Sequence, residues 1–552
     1  MTGFSLEVFQ NEYVPAGATT VDAIVTVTAG GWNPGGSGRA AEVLILDTSG
    51  SMETPPSRMR AARQAACEAI DSIRDGVLFG VIAGTERAIT VFPVWGTGLV
   101  VSDAPNRAAA RDAVRRLQVG GGTAMSTWLL AARELFKASP ADLHHAILLT
   151  DGENREDSWR LDEALRYCTG LFQADCRGIG TDWVVKELRS IASALLGTVD
   201  IIPEPEQMPA EFRRLMERAM GRTVAGSALR VWCPLDATVN FVRQVSPTVE
   251  DLTDRTTQVD QRTRQYPLGA WGAESRDYHV SVTVPPQSVG VEMLASRVSL
   301  VTDDEVVGPA LVRAVWTEDD AVSTRISPEV AHYTGQAELA EDIQAGLAAL
   351  QEGDERTATF RLGRATRQAV ASGHEGTVQL LRKVVDVEDA REGTVRLRPR
   401  VAKADEMALD TRSTRTVRVQ KTAAAPRGAA GEADEMVLET RSTRTVRVRP
   451  GSPAPPPALP APPPPSVPPE PPAPPASVRG LAAMAGPDFD PASGPEPERE
   501  GEAAAMWPSS QPPEGAAGPV RWPSSLARPG DQSETEAEAE AESMPDAAVG
   551  ES

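Results

Sequence analysis

The sequence predicts an α/β protein whose main domain is a doubly wound, mostly parallel sheet. Two observations lead to this prediction. Short apolar runs alternate with helical stretches between residues 41 and 222, and residues 223–327 contain only strand-like runs. Strands that alternate with helices form parallel sheets covered on both faces, whereas a strand-only pattern interrupted by Pro, Gly and Asp is typical of a β-sandwich. We therefore expect an α/β domain that is inserted into, or followed by, a β-sandwich.

The alternation can be followed element by element through the α/β domain. Its first strand is residues 43–46, an apolar run short enough to be buried on both faces of a sheet. The remaining predicted elements are helix 59–74, strands 77–83 and 87–92, helices 107–117 and 126–138, strand 146–150, helix 159–168, strand 171–179, helix 184–196, strand 198–202 and helix 211–220.

The regions on either side of this domain differ in composition. Residues 1–40 contain two strand-like runs, which we expect to pair with the strands of the sandwich. Residues 328–390 carry apolar residues at helical spacing and predict a helical segment. We assign residues 391–449 to a region with a duplicated Thr/Arg motif, and residues 450–552, rich in Pro and then in acidic residues, to a disordered tail.

Oxygen-bearing side chains follow two of the predicted strands and one glycine-rich loop. Asp47, Ser49 and Ser51 come directly after the first strand, Thr123 follows a run of three glycines, and Asp151 follows strand 146–150. Ligands bind beyond the carboxyl ends of strands in such sheets, and divalent cations such as Mg²⁺ prefer oxygen ligands. The alternative interpretation is that these side chains cap helices or stabilise turns.

The spacing of these residues resembles the metal-ion-dependent adhesion site (MIDAS) of von Willebrand factor A (vWA) domains, over residues 41–222. That family has Asp-x-Ser-x-Ser after its first strand, a Thr in a second loop and an Asp after a later strand. The resemblance implies that Ser49, Ser51 and Thr123 contact Mg²⁺ or Mn²⁺, and that Asp47 and Asp151 hold the ion largely through water. It also implies a partner protein that offers an Asp or Glu side chain to the ion.

We therefore expect a metal-dependent protein interaction scaffold and not an enzyme. Two alternatives stay open: a vWA subunit of an AAA-type ATPase or chelatase-like complex, and a metal-dependent hydrolase. The chain has no Gly-x-x-x-x-Gly-Lys loop, so any ATPase would be a separate protein. Its histidines show no Ser-His-Asp arrangement or nucleophile elbow, which disfavours hydrolysis.

Composition limits the partners and the compartment. The chain carries 77 acidic and 55 basic residues, a net charge of −22, which argues against binding to nucleic acid. No segment has the length of a membrane span, and the first residues lack the pattern of a secretory signal, so we expect a cytoplasmic protein with no membrane partner. Four cysteines lack metal-ligand spacing and are expected to be free thiols: Cys67, Cys168, Cys176 and Cys233.

A 15-residue segment is duplicated near the end of the predicted folded region. Residues 405–419 recur as residues 434–448 with two differences, Ala408 to Val437 and Asp410 to Glu439. Threonines beside arginines suit a basophilic Ser/Thr kinase, and forkhead-associated domains, which bind phosphothreonine, commonly select an aliphatic residue three positions on. The candidate phosphosites with such a residue are Thr414, Thr416, Thr443 and Thr445. We interpret the repeats as docking motifs on a flexible tether; a duplication without a role and a β-hairpin are the alternatives.

Overall fold

The structure is a computed structural model that describes residues 3–30, 39–94, 98–302 and 305–418. The chain divides into a unit Met1–Pro457 and a unit Ala458–Ser552, and the second unit lies wholly outside the described residues. The predicted disordered tail, residues 450–552, therefore also lies outside them. Within the described ranges, no helix is both long and apolar enough to cross a lipid bilayer.

The α/β domain follows three N-terminal strands and has the predicted alternation of strands and helices. The N-terminal strands are β1 (Gly3–Gln10), β2 (Tyr13–Pro15) and β3 (Thr20–Gly30). The α/β domain consists of β4 (Ala40–Asp47), α1 (Pro56–Ser72), β5 (Leu78–Gly84), β6 (Ala88–Phe92), β7 (Val100–Val101), α2 (Ala104–Arg115), α3 (Met125–Lys137), β8 (Leu143–Thr150), α4 (Ser158–Cys168), β9 (Gln173–Ile179), α5 (Val185–Ala194), β10 (Val199–Ile202) and α6 (Met208–Met220).

The central sheet confirms the predicted doubly wound arrangement. In its described part, the strand order is β10-β9-β8-β4-β5-β6, with β7 also paired to β5. The five strands from β10 to β5 are parallel, and β6 and β7 run antiparallel. Alternate residues of β4 face opposite ways: Val43 and Ile45 pack against one helical layer, and Leu44 and Leu46 against the other. This double burial explains why the strand is apolar throughout.

The N-terminal strands belong to the same sandwich as the strands that follow the α/β domain. Those later strands are β11 (Ser227–Trp232), β12 (Thr238–Ser246), β13 (Glu250–Asp251), β14 (Thr257–Asp260), β15 (Thr263–Pro267), β16 (Ser275–Thr283), β17 (Glu292–Thr302) and β18 (Val306–Thr317). In the described residues, one sheet has the order β1-β3-β16-β12-β13 and the other β14-β15-β11-β17-β18-β2. Because β3 pairs with β16 and β2 with β18, the α/β domain is an insertion in the sandwich.

A helical region follows the sandwich and packs on it. It comprises α7 (Asp320–Ser323), α8 (Pro328–Glu352), α9 (Glu355–Ala371), α10 (Glu375–Val384), the hairpin β19 (Val385–Asp389) and β20 (Thr394–Leu397), and α11 (Lys403–Arg412). The phenol of Tyr333 in α8 donates a hydrogen bond to Asp277 of β16, which joins this helix to the sandwich.

The first copy of the repeat is packed and is not a flexible tether. Residues 403–412 form α11, and residues 413–418 continue from it in a turn followed by extended chain. Leu409 is fully buried among side chains of the helical region, and Arg415 lies opposite Thr248 in a single antiparallel bridge. The expectation of a flexible tether was wrong for this copy because its arginines pair with Asp200 and Asp277, which are far away in the sequence. The second copy lies outside the described residues.

A cluster of buried charged residues lies on β4, β8 and β9 of the central sheet, away from the carboxyl edge. His145 of β8 lies between Glu42 (Nδ1 to Oε2, 2.8 Å) and Asp175 (Nε2 to Oδ2, 2.9 Å), and Arg222 approaches Asp175 at 3.6 Å. Burial opposes protonation of His145, but Glu42 and Asp175 outweigh it and raise the pKa of His145 above its ordinary value. The folded protein therefore holds this proton more tightly than the unfolded chain does.

This cluster makes part of the stability dependent on pH. Since the pKa of His145 is raised by folding, its contribution is complete below about pH 6.5 and is lost as the pH rises through the raised value. His145→Gln should lower the free energy of unfolding by about 3 kcal/mol at pH 6, and the difference from wild type should shrink by pH 9. Urea titrations at both pH values measure this. The matched control is His144→Gln, since His144 contacts the Leu171 carbonyl and no carboxylate; a difference for His145→Gln that grows with pH would contradict the account.

Candidate functional site

Three loops meet at the carboxyl edge of the central sheet. Strand β4 ends at Asp47, its parallel neighbour β8 ends at Thr150, and Thr123 lies two residues before the start of α3. Since β4 and β8 are hydrogen-bonded in parallel, the residues that follow them are adjacent in space. The five predicted metal ligands therefore come from three segments that are far apart in the sequence.

Four of these five side chains form one hydrogen-bonded chain. The Ser49 amide donates to Asp47 Oδ1 at 2.8 Å, the Ser49 and Ser51 hydroxyl oxygens are 3.0 Å apart, and Ser51 Oγ donates to Asp151 Oδ1 at 2.7 Å. Thr150 Oγ1 donates to Asp47 Oδ2 at 2.5 Å. The two carboxylates are fully buried.

Thr123 reaches the same point as these side chains. A Cβ placed on Gly152 would lie 3.2 Å from Ser51 Oγ, 3.4 Å from Thr123 Oγ1 and 3.9 Å from Asp47 Oδ2. One oxygen from each of three residues therefore surrounds a single small volume beside Gly152. A larger residue than glycine at position 152 would fill part of this space.

Backbone hydrogen bonds hold the first two loops together. The Gly120 amide donates to the Thr48 carbonyl at 2.9 Å, and the Gly50 amide donates to the Gly121 carbonyl at 3.0 Å. Gly121 has a φ of +82°, a conformation that other residues adopt only with strain, so the glycine run is needed for this pairing. The serines and Thr123 are thus held in fixed relative positions.

The third loop is anchored on the N-terminus of α3. The Arg155 amide donates to the Thr123 carbonyl at 2.9 Å, Asn154 Oδ1 accepts from the Met125 amide at 3.0 Å, and Glu156 Oε1 accepts from the Ser126 amide at 2.7 Å. These side chains satisfy amides that the helix itself leaves free. The capping roles of Asn154 and Glu156 were not predicted from the sequence, because capping by a remote loop leaves no local motif.

The electrostatics of the site favour a cation. Burial is the main cause that raises the pKa of Asp47 to about 6, and the nearby charge of Asp151 adds to it. A single cationic side chain approaches these carboxylates among the described residues: Arg58 Nη1 lies 2.5 Å from Asp151 Oδ2, and Arg58 Nη2 lies 3.3 Å from Asp182. No sequence motif indicated Arg58. Asp182, which follows β9, is joined to Asp151 through Arg58.

The donor set fits a hard divalent cation. Oxygens of Ser51, Thr123 and Asp47 surround one small volume, and Ser49 and Asp151 are hydrogen-bonded to Ser51. Hydroxyl and carboxylate oxygens of this kind suit Mg²⁺ and Mn²⁺. Within the described ranges, no cluster of three or more His, Cys, Asp and Glu side chains offers a metal site of another type. The residues present therefore fit the cofactor that the sequence analysis named.

The two candidate phosphosites that the structure describes contact the loop between β12 and β13. Thr414 and Thr416 follow α11: the Thr414 carbonyl accepts from the Val249 amide at 2.7 Å, and the Thr416 amide donates to the Pro247 carbonyl at 3.0 Å. The hydroxyl oxygen of Thr416 is buried and has no hydrogen-bond partner among the described residues. Thr443 and Thr445 lie outside the described residues.

Comparison with known proteins agrees with this geometry. A von Willebrand factor type A domain model matches residues 43–153, and a von Willebrand factor type A C-terminal domain model matches residues 367–413. A solved von Willebrand factor type A structure from Catenulispora acidiphila is 49% identical, with a TM-score of 0.73, and the match covers 76% of this chain and 98% of that one.

Two more distant proteins are also similar. A UPF0353 protein from Nocardia farcinica (strain IFM 10152) is 26% identical over 236 residues, which is 35% of this chain and 67% of that protein. The ArnB paralog VWA2 from Sulfolobus acidocaldarius is 16% identical, covers 75% of this chain and 98% of its own, and has a TM-score of 0.52, which shows a common fold. The chain belongs to the von Willebrand factor type A family, a fold used for adhesion and interaction.

Removing the Arg58 charge should strengthen binding of the cation. The guanidinium contacts Asp151 and repels a divalent ion placed beside it, so we expect Arg58→Met to raise Mg²⁺ affinity by about tenfold. Isothermal titration calorimetry on the purified full chain measures this. Arg60→Met, an exposed arginine of the same helix, is the matched control and should match wild type. Weaker binding in Arg58→Met would show that Arg58 supports the site instead of competing for it.

Proposed function

We propose that this protein is a metal-dependent interaction scaffold whose MIDAS holds Mg²⁺, or Mn²⁺, and binds an acidic side chain of a partner protein. The observation that carries the proposal is that oxygens of Ser51, Thr123 and Asp47 surround one small volume, with Ser49 and Asp151 hydrogen-bonded to Ser51. Ser49, Ser51 and Thr123 are the direct ligands in this proposal. Asp47 and Asp151 orient the ion's water ligands.

The net charge of the site explains why we expect the partner to offer an acidic side chain. The two buried carboxylates carry at most two negative charges, one of which Arg58 neutralises, and the hydroxyls carry none. When bound, the divalent cation leaves the site with a net positive charge and an open coordination position that suits a carboxylate. A carboxylate from the partner would then be both the missing oxygen ligand and the missing negative charge.

An exposed aromatic side chain extends the proposed binding surface. Trp159 begins the first turn of α4, eight residues after Asp151, and 56% of its surface is exposed. Aromatic side chains often contribute much of the binding energy at protein interfaces. We propose that Trp159 packs against the partner beside the residue that reaches the ion.

Partner capture should depend on the metal. The full chain as bait should retain its partner in Mg²⁺ and lose it in EDTA, and Asp47→Ala should lose it in both conditions because the ion is no longer held. Asp162→Ala, an exposed carboxylate on α4, is the matched control and should behave as wild type. Quantitative mass spectrometry of the captured proteins measures the difference, which we expect to exceed tenfold.

A variant of the exposed aromatic residue distinguishes loss of partner binding from loss of metal binding. Trp159→Ala should keep Mg²⁺ binding while it weakens capture, whereas Tyr167→Ala, similarly exposed at the far end of α4, should change neither. A partner that is retained equally in EDTA would contradict the proposed role of the metal. Capture of an ATPase subunit would instead favour a chelatase-like complex.

We also propose that the repeats are phosphorylated on threonine by a Ser/Thr kinase and then bound by a forkhead-associated domain. A phosphate on Thr414, Thr416, Thr443 or Thr445 would carry nearly two negative charges beside the arginines of the repeat.

The cysteines support a cytoplasmic location, since Cys67, Cys168, Cys176 and Cys233 are all free, and burial raises the pKa of the Cys168 thiol to about 12.

The buried hydroxyl of Thr416 sets an order of modification. A kinase cannot reach this oxygen while the first copy is packed, so we expect Thr443 and Thr445 to carry phosphate before Thr416 does. Time-resolved phosphopeptide mapping of protein isolated from its native cells measures the order. Thr443→Ala/Thr445→Ala should weaken binding to a forkhead-associated domain, while Thr422→Ala, between the repeats, serves as control. Threonines without phosphate in both repeats would remove this proposal.

A further inference from the structure

Residues 405–418 occupy a groove that touches all three parts of the fold. We call it the repeat groove, and its polar lining residues are Arg189, Asp200, Asp277, Gln336 and Lys383. Its apolar part holds Leu409 within the core of the helical region. Met407 and Ala408, also buried, pack against the core of the α/β domain.

Charged residues of the first copy have partners in the repeat groove. The ion pairs are Asp405 with Lys383 (2.8 Å), Asp410 with Arg189 (2.6 Å), Arg412 with Asp200 (2.9 Å), Arg415 with Asp200, and Arg418 with Asp277 (2.6 Å). Gln336 accepts from the Val417 amide at 2.9 Å and donates to its carbonyl at 2.7 Å. The groove therefore recognises this sequence through side chains as well as through backbone.

Two buried carboxylates make an empty groove costly. Asp200 and Asp277 are almost fully buried, and Arg412, Arg415 and Arg418 are their ion-pair partners among the described residues. Burial alone would raise the pKa of Asp200, but Arg415 and Arg412 hold it below its ordinary value. Without these arginines, Asp200 and Asp277 would lose their ion pairs, and Arg177 would still act on Asp200. A second segment that carries matching arginines would restore most of these contacts when the first copy leaves.

The second copy of the repeat has the required residues. Its Met436, Leu438, Arg441, Arg444 and Arg447 correspond to Met407, Leu409, Arg412, Arg415 and Arg418 of the first copy, and Glu439 keeps the charge of Asp410. The only other difference is Val437 in place of Ala408. We propose that residues 434–448 of the same chain are an alternative occupant of the repeat groove, so that the two copies compete for one site.

The length of the connection favours the first copy. With the first copy in the groove, five residues, 398–402, join β20 to α11; with the second copy they become 34 residues, 398–431. Loop-closure entropy then favours the first copy by about twentyfold. The larger Val437, at a position where Ala408 is buried, adds to this preference. We therefore expect the second copy to occupy the groove in about one chain in twenty.

If the second copy replaced the first in the repeat groove, residues of the first copy would be exposed. The Thr416 hydroxyl and the arginines beside it would become accessible, and the folded body would then be joined to the tail 29 residues further along the chain. The exchange thus links occupancy of the groove to access to the first pair of candidate phosphosites. It does not depend on the metal site.

An engineered disulfide tests which copy occupies the groove. Thr248 and Arg415 lie directly opposite each other, and the hydrogen bonds of residues 247, 249, 414 and 416 flank them, so their Cα atoms should be about 4.5 Å apart, within reach of a disulfide. The variant is the full chain with Cys67→Ser, Leu409→Asp, Thr248→Cys and Arg444→Cys. Leu409→Asp prevents the first copy from docking, and Arg444→Cys places a thiol in the second copy.

The proposal predicts an intramolecular disulfide in most chains of this variant. Non-reducing gel electrophoresis and peptide mapping detect the bond between positions 248 and 444, and adding Leu438→Asp, the matched control, should abolish it. A folded chain without the bond would overturn the proposal. A disulfide-linked dimer would overturn it as well, because the occupant would then come from a second copy of the chain.

Thermal unfolding gives a measurement that needs no cysteines. Leu409→Asp should lower Tm by several degrees less than Leu409→Asp/Leu438→Asp, since the intact second copy refills the groove. Leu438→Asp alone should leave Tm unchanged. If Leu409→Asp lowers Tm as far as the double variant does, or unfolds the chain outright, the second copy does not replace the first.

Discussion

Asp47 and Asp151 are buried in one hydrogen-bonded cluster with Ser49 and Ser51 at the carboxyl edge of the central sheet. Two carboxylates in so small a space repel each other, and each loses the solvation that water provides. The loops bearing them are nonetheless fixed, since backbone hydrogen bonds join the first loop to the glycine run and capping contacts join the third loop to α3. Arg58 offsets only part of the negative charge, and the arrangement calls for a further cation.

The insertion of the α/β domain makes this edge of the sheet available. The chain enters from β3 and leaves to β11, so the sandwich is connected to the domain through residues 31–39 and 221–226. His145 and its carboxylate partners lie on the strands of the sheet away from its carboxyl edge, and the candidate metal ligands lie at that edge. The two charged clusters are therefore separated by the apolar length of β4 and β8, and substitutions in one can be studied without disturbing the other.

The sequence was most informative where a property is local. The apolar run 43–46 predicted a strand with two buried faces, and the strand is indeed covered on both sides. Arg58 and Asn154 were missed because their importance depends on loops that meet only after folding. The first repeat was interpreted as a tether for the same reason. Its arginines were interpreted as part of a kinase recognition motif, but in the fold they form ion pairs with Asp200 and Asp277.

A crystal of the full chain grown with Mn²⁺ would test the central claim most directly, because anomalous scattering locates the ion without any assumption about function. The account predicts a strong anomalous peak beside Gly152, within about 2.5 Å of the hydroxyl oxygens of Ser49, Ser51 and Thr123. No peak at that position at full Mn²⁺ loading, or an ion bound elsewhere in the protein while these hydroxyls bond only to one another, would contradict it.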